Sequence, residues 1–552
     1  MSGDRMQQHN SALPVVDLVR IGASAGRAVD ATCPSSLAWK ARPRSRSARR
    51  FPDEHWDGFV LRPVMDAVDR VEFDGVTAEQ AIAEIRSQGG RRHPGVTGYA
   101  EHAARMYLES HQRGEAGMRP VRELWVSQRL TRSVVWELYA WGRRYESVDG
   151  RLREFRFLRQ GDALADGRDE ATAIAIAAYV AAFGNPAVWP NPWSEPFHPS
   201  GRTGTERVRV VSVGLADGVV KPLFEGTAAD VEDYFAEHGR SQVGEIAAGR
   251  DVVPGFGCAD CKRVAVCDGP VRTPGLLGLD DSQGPLRTVS VSGLRYYLRC
   301  PAQAYLRSVH LPRAYEYSGE AELGQAVHAW LEEAHEAGPD GCRSRPLPPL
   351  GSGWSAGTWQ VTGDLADAGV RMLAQHAEVC PFREAPEIEN VRVEPRLTVF
   401  DTTARAIVLA KPDLVYQEAG QWVWRELKST QKATRFFTDP LRQFPQLALG
   451  VVILSAGALG PGGAGRVELE ILRPTGAEIV LIDARDDERV DTARTVLREL
   501  AAPWRADRTF EARPSNNCQW CPVSRWCPSY PGPHVEGKDH DSRAKPATAF
   551  EQ

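Results

Sequence analysis

The sequence predicts an α/β protein made of two similar halves in tandem. Short alternating apolar stretches interleave with stretches of helical period. One cysteine pattern occurs twice, and further landmarks recur in the same order at a nearly constant offset. At 552 residues the chain is too long for one core, so two or three domains are expected. No apolar run approaches the roughly 20 residues needed to span a bilayer, and the opening residues lack a charged-then-apolar leader pattern. The expectation is therefore a cytoplasmic chain with no membrane partner, whose ten cysteines read as metal ligands or buried thiols rather than disulfides. A net charge of −5 excludes a generally polycationic protein but leaves room for a local phosphate-binding groove.

In chain order, residues 1–15 and 532–552 are polar or broken by Gly and Pro and read as disordered tails. Between them lie a first domain at 16–267, a linker at 268–286 rich in Gly, Pro and Asp, and a second domain at 287–531. Cys258-x2-Cys261-x5-Cys267 in the first domain returns as Cys518-x2-Cys521-x5-Cys527 in the second. Each triplet has a lone upstream companion followed by proline, Cys33-Pro34 and Cys300-Pro301; the offsets are 518 − 258 = 260 and 300 − 33 = 267. Val96-Thr97-Gly98 matches Val361-Thr362-Gly363, Arg129-Leu130-Thr131 matches Arg396-Leu397-Thr398, and Arg153-Glu154-Phe155-Arg156 matches Arg425-Glu426-Leu427-Lys428.

Within the second half the periodicities predict a helix from Gly324 to Ala337 and a β-hairpin with strands at Leu414–Tyr416 and Trp422–Lys428 about a turn at Glu418–Gln421. An apolar helix at Asp439–Ala456, strands at Arg466–Leu472 and Glu478–Ile482, and an amphipathic helix at Asp487–Leu500 follow.

The hairpin carries the chemistry. Residues two apart on a strand share a face, so Glu426 and Lys428 stand together and the turn returns the chain beside Asp413. Two carboxylates suit a hard divalent cation, and a neighbouring lysine suits a bound water or charge building on a phosphate. Ordinary solvated charges would give the same local pattern. Four thiolates per half, three together and one far upstream, suit either a structural zinc or an iron–sulfur cluster. The departure from paired C-x2-C knuckles favours [4Fe–4S]. Cys342 and Cys380 have no counterparts in the other half and read as incidental.

Val291-Ser292-Gly293-Leu294 through Cys300-Pro301, Gly324 to His328, Pro412-Asp413, Glu426-Leu427-Lys428, Gln446 and the last cysteine triplet occur in one order. On these the second half, over roughly 290–530, resembles the iron–sulfur branch of the PD-(D/E)XK nuclease superfamily. That branch includes the nuclease domain of AddB-type recombination proteins and the CRISPR-associated RecB-like exonucleases. The resemblance implies two restriction-endonuclease-like domains, each a mixed sheet flanked by helices and closed by a four-cysteine cluster. It also implies Mg²⁺- or Mn²⁺-dependent DNA hydrolysis in repair, recombination or defence, with a helicase or other subunit as a possible partner. Carried over, Asp413, Glu426, the Leu427 carbonyl and His328 would hold the ion, Lys428 would be the catalytic lysine, and Gln446 would contact substrate or that lysine. The histidine accompanies exonuclease activity in the family. Cys300, Cys518, Cys521 and Cys527 would hold one [4Fe–4S] cluster, and Cys33, Cys258, Cys261 and Cys267 a second, with zinc as the alternative. Gly450 stands where the family often has tyrosine.

Aligned by the repeat, the first half has Arg62 in place of His328, Gly142 or Arg143 in place of Asp413, Arg156 in place of Lys428 and Ala175 in place of Gln446, while Glu154 remains. Arginine keeps its charge and repels a divalent cation, so this half reads as a nuclease fold without a metal site that binds DNA or scaffolds its neighbour. His55 reads as a surface residue. The basic run from Lys40 to Arg50 reads as a solvated loop or as phosphate contact without base readout. No G-x-x-x-x-G-K-[ST] segment is present, so ATP-driven translocation is not expected. Two other readings stay open: a non-catalytic subunit of a repair or defence complex, and a zinc-stapled protein acting on something other than DNA.

Overall fold

The structure is a computed structural model that describes residues 17–530, apart from 28–31, 46–50, 88, 113–116, 132, 164–169, 202–203, 282, 315–318, 339–340, 384–386 and 432–438. The expected tails and the end of the basic run lie outside the described residues. The chain divides into two compact units, 1–48 with 66–81 and 103–253, and 49–65 with 82–102 and 254–552. The boundary therefore falls ahead of the expected linker. Leu276 and Leu277 of that segment are buried in the second unit's core, and the Gly275 and Leu277 amides donate to Asp401. Apolar residues among the glycines and prolines anchor this stretch as packed structure.

The second unit is built on a mixed five-stranded sheet in the order Ile388–Val393, Leu414–Glu418, Gln421–Ser429, Gly463–Arg473, Gly476–Asp483. Successive pairings are antiparallel, antiparallel, parallel and antiparallel. The hairpin turns on Ala419 (φ 48°) and Gly420 (φ 74°), two left-handed residues whose twist matches that of the flanking strands. Alternation along Gln421–Ser429 sends Trp422 and Trp424 into a core with helices Pro445–Ser455 and Asp487–Ala506. Leu427, on the other face, packs against helices Gly319–Glu336 and Gly363–Val379. The expected single helix over 439–456 is two, Pro440–Gln443 and Pro445–Ser455, because Pro445 disfavours the helical conformation at Phe444. The second piece is buried on nearly all sides, as its continuous apolar sequence requires.

The first unit holds a sheet in the order Met118–Pro120, Arg143–Ser147, Leu152–Arg159, Arg207–Gly214, Val220–Thr227, with the same sequence of pairings. A largely apolar helix, Ala171–Phe183, packs on it. Laid pair on pair from their first rungs, Arg143 opposite Arg156 and Leu414 opposite Arg425, the two hairpins put Arg156 at the place of Arg425 rather than of Lys428, three residues from the letter-based match. Glu426 and Lys428 then correspond to Phe157 and Arg159. Phe157 belongs to the apolar core and Arg159 pairs with Glu170. Gly142, at the place of Asp413, admits no side chain, since a Cβ would come 2.4 Å from the Arg156 carbonyl oxygen. Arg62, matched with His328, is exposed and pairs with Asp57 at 3.4 Å. His55 is exposed, as expected. In the described part of the basic run, Arg42 donates to the Ala247 carbonyl at 2.7 Å and Arg44 to that of Ser194 at 3.2 Å.

Candidate active site

Asp413 ends the chain's approach to the hairpin. Its Oδ2 accepts the Leu427 N–H at 2.6 Å, which locks its carboxylate to the facing strand beside Glu426. His328 reaches the other oxygen from helix Gly319–Glu336, Nδ1 to Oδ1 at 3.1 Å. Glu426 is buried; its Oε1 accepts the Trp424 indole N–H at 2.9 Å, and Lys428 Nζ stands 4.0 Å from its Oε2. Burial, then the charge of Asp413, push the Glu426 carboxyl up to about 8 against the pull of Lys428. Two carboxylates crowded in a dry pocket raise one another's affinity for protons, and a cation that displaces those protons relieves the conflict. Four of the sequence-expected groups, His328, Asp413, Glu426 and Lys428, thus meet on one hairpin and one helix.

Gln446 is half-buried on helix Pro445–Ser455, one turn before Gly450. A Cβ on Gly450 would come 3.0 Å from the Trp424 indole. The indole occupies the space that a larger residue at 450 would need, and the same indole orients Glu426. The sequence reading missed Trp424, although its position two residues before Glu426 on the same strand face was visible.

A second acidic group lies close by and was also missed. Glu332, one turn after His328, is pushed up to about 7 by burial and by Glu394, which Lys411 bridges; the Glu394 amide donates to the Asp413 carbonyl at 3.1 Å. Glu332 had a signal in its i, i+4 spacing from His328.

Comparison with known proteins bears on this arrangement. Residues 288–528 match the profile of the PD-(D/E)XK nuclease superfamily. This stretch is a PD-(D/E)XK nuclease domain. The nuclease domain contains all of His328, Asp413, Glu426, Leu427, Lys428 and Gln446. Among solved structures, a "putative exonuclease" from Eubacterium rectale matches with a TM-score of 0.29 and 14% identity, covering 43% of this chain and 86% of its own. The search of curated proteins returned no match.

The nuclease domain also gathers Cys300, Cys518, Cys521 and Cys527 around one pocket. Backbone amides point at the sulfurs: Arg513 N–H to Cys300 Sγ at 3.4 Å and Ser515 N–H to Cys518 Sγ at 3.3 Å, with the Val523 amide on Cys521 and those of Ser529 and Tyr530 on Cys527. Burial, with the other three sulfurs adding to it, pushes the Cys521 thiol up to about 11. Cys300 sits between helices Val291–Arg299 and Pro301–Ser308, and proline at the first helical position fixes that junction. In the other set, Cys33 precedes helix Pro34–Lys40 and its sulfur accepts the Val253 amide at 3.4 Å, while Cys258, Cys261 and Cys267 belong to the second unit. No helix among the described residues is long and apolar enough to cross a membrane.

Proposed function

We propose that the chain is a metal-dependent deoxyribonuclease, working as an exonuclease in DNA repair, recombination or defence, with its one active centre at His328, Asp413, Glu426 and Lys428. The convergence of these four side chains, from a helix and a hairpin 85 residues apart at the His328–Asp413 contact, carries the reading. The donor set is hard, with carboxylate oxygens, the Leu427 carbonyl and one imidazole, which suits Mg²⁺ or Mn²⁺. Such an ion, when bound, supplies Lewis acidity to the scissile phosphate and a lowered pKa to an attacking water. The chain's own residues do the rest. Asp413, held by the Leu427 amide, and Glu426, held by Trp424, keep two carboxylates fixed before substrate arrives. Lys428 places an ammonium beside them to meet developing charge. Gln446, half-buried on the neighbouring helix, would contact substrate or Lys428.

The first half we read as a duplicated copy that lost this centre. The shared order of strand pairings supports duplication, and Gly142 and Phe157 at the places of Asp413 and Glu426 support the loss. The cysteine quartets we assign to [4Fe–4S] clusters. The amide donors to sulfur suit a cluster, whose potential such bonds tune.

The test is anaerobic purification of the full chain, followed by cleavage assays on single- and double-stranded DNA, with RNA in parallel. Cleavage of DNA should require Mg²⁺ or Mn²⁺ and fall at least a hundredfold in Asp413→Ala and in Lys428→Ala. Undiminished cleavage by either variant rejects the assignment. A wild-type protein that binds DNA without cutting it leaves a non-catalytic subunit as the better reading.

A further inference from the structure

A second cluster of ligand-type side chains lies on the other face of the same sheet, and the nuclease reading makes no use of it. His335, Cys342, His376 and Cys380 each offer one ligand atom, and the four atoms lie within 4.8 Å of one another. His335 and His376 face each other through Nε2 at 3.2 Å; Cys342 Sγ is 3.6 Å from His376 Nε2, and Cys380 Sγ is 3.9 Å from His335 Nε2. Zinc bonds of 2.0–2.1 Å to nitrogen and 2.3 Å to sulfur give tetrahedral edges of about 3.3 Å for N–N, about 3.6 Å for N–S and about 3.8 Å for S–S. The first two contacts match those edges to within about 0.1 Å and the third is about 0.3 Å longer. The two cysteines that lacked counterparts in the repeat are the two thiols of this set.

The surroundings are those of a metal ligand set. His376 Nδ1 meets Glu470 Oε1 at 2.6 Å, both fully buried, a contact that would keep a proton on Nδ1 and present Nε2 to a bound metal. Glu470 in turn accepts Arg425 Nε at 2.8 Å. With two thiolates around a dication, and with Arg425 and Arg466 against Glu470 and Glu468, the group is electrically balanced.

We propose that this chain binds one zinc ion through His335, Cys342, His376 and Cys380, as a structural site separate from the nuclease centre and from both cysteine quartets. The site joins four elements: the end of helix Gly319–Glu336, the short helix Gly341–Ser344 through Cys342, the end of helix Gly363–Val379, and strand Gly463–Arg473 through Glu470. His328 lies seven residues, two turns or about 10 Å, before His335 on the first of these helices. Arg425 adjoins Glu426 on the hairpin. Zinc would therefore hold the His328 helix at a fixed height against the hairpin that carries the two carboxylates. Binding releases both thiol protons. The inference stands whether or not the domain cuts DNA.

The test reads the metal directly. Full-length protein, purified anaerobically with reductant and without added zinc, is analysed for zinc and iron and then by zinc-edge X-ray absorption. The expected result is about one zinc per chain with a shell of two sulfurs near 2.3 Å and two nitrogens near 2.0 Å. In the double variant Cys342→Ala/Cys380→Ala, and in His376→Ala, zinc should fall at least tenfold while iron is unchanged. Less than about 0.1 zinc per chain in the wild type, a four-sulfur shell, a Cys342–Cys380 disulfide in the purified protein, or folded variants that keep their zinc would each overturn the proposal. Should the variants not accumulate as folded protein, the wild-type shell alone decides.

Discussion

At the scale of single residues, the chemistry depends on how Glu426 is held. Its carboxyl is buried beside Asp413 and raised to about 8, well above its ordinary 4.5. A group whose folded pKa is raised contributes stability that is full below the unfolded value and lost as pH rises through the folded one. Without added Mg²⁺ or Mn²⁺, the melting temperature should therefore decline between pH 5 and pH 8, and Glu426→Gln should flatten that decline. The affinity for Mn²⁺ should climb over the same range, by up to about tenfold per pH unit, as the ion displaces one proton; calorimetric titration at several pH values checks it. Trp424 supplies the hydrogen bond that opposes protonation of Glu426. Trp424→Phe keeps the ring against Gly450 and removes only the N–H. Cleavage at pH 7 should fall about tenfold, as a lost bond to a charged acceptor worth about 1.5 kcal/mol implies, and recover at higher pH. A loss that is the same at every pH would mean that packing, not the N–H, matters.

At the scale of elements, the hairpin was legible because every level agreed. Alternation set its strands, Ala419-Gly420 set its turn, and Asp413, Glu426 and Lys428 fell on positions that the turn brings together. The register of the other hairpin was not. Arginine and glutamate recur at short intervals along Leu152–Arg159, so a match of letters tolerates a three-residue slip. The His335–Cys342–His376–Cys380 group was hidden for a different reason. Its ligands come from two helices and the segment between them, and only the His376-x3-Cys380 spacing, which shares a helix face, gave a local signal. Gly450 is an element-scale choice as well: helix Pro445–Ser455 lies against Trp424 only because residue 450 has no side chain. Gly450→Tyr, which would restore the family's commoner residue, should destabilise the protein by about 2 kcal/mol in denaturant titration through overpacking. It should also lower cleavage by displacing the indole from Glu426.

At the scale of the whole molecule, what matters is how far apart in sequence the clamped points are. Cys300 and Cys518 are separated by 518 − 300 = 218 residues, and that span includes the entire hairpin of Asp413, Glu426 and Lys428. A cross-link closing a loop of this length removes about 5 kcal/mol of chain entropy from the unfolded state, by the relation that applies to disulfides. That is as large as the whole stability of many domains. A cluster on Cys300, Cys518, Cys521 and Cys527 would therefore act on cleavage through folding, with no electron transfer involved. Cys521→Ala should lower iron from about eight to about four atoms per chain, since one of two [4Fe–4S] clusters is lost. It should also leave the nuclease domain open to proteolysis and its cleavage activity lost. Cys261→Ala, in the other quartet, should lower iron by the same amount. Oxidising or reducing the cluster in the intact wild type should leave cleavage unchanged, because redox state alters the clamp's charge and leaves its connectivity intact. If cleavage followed redox state instead, the cluster would be a switch, and the clamp argument would fail.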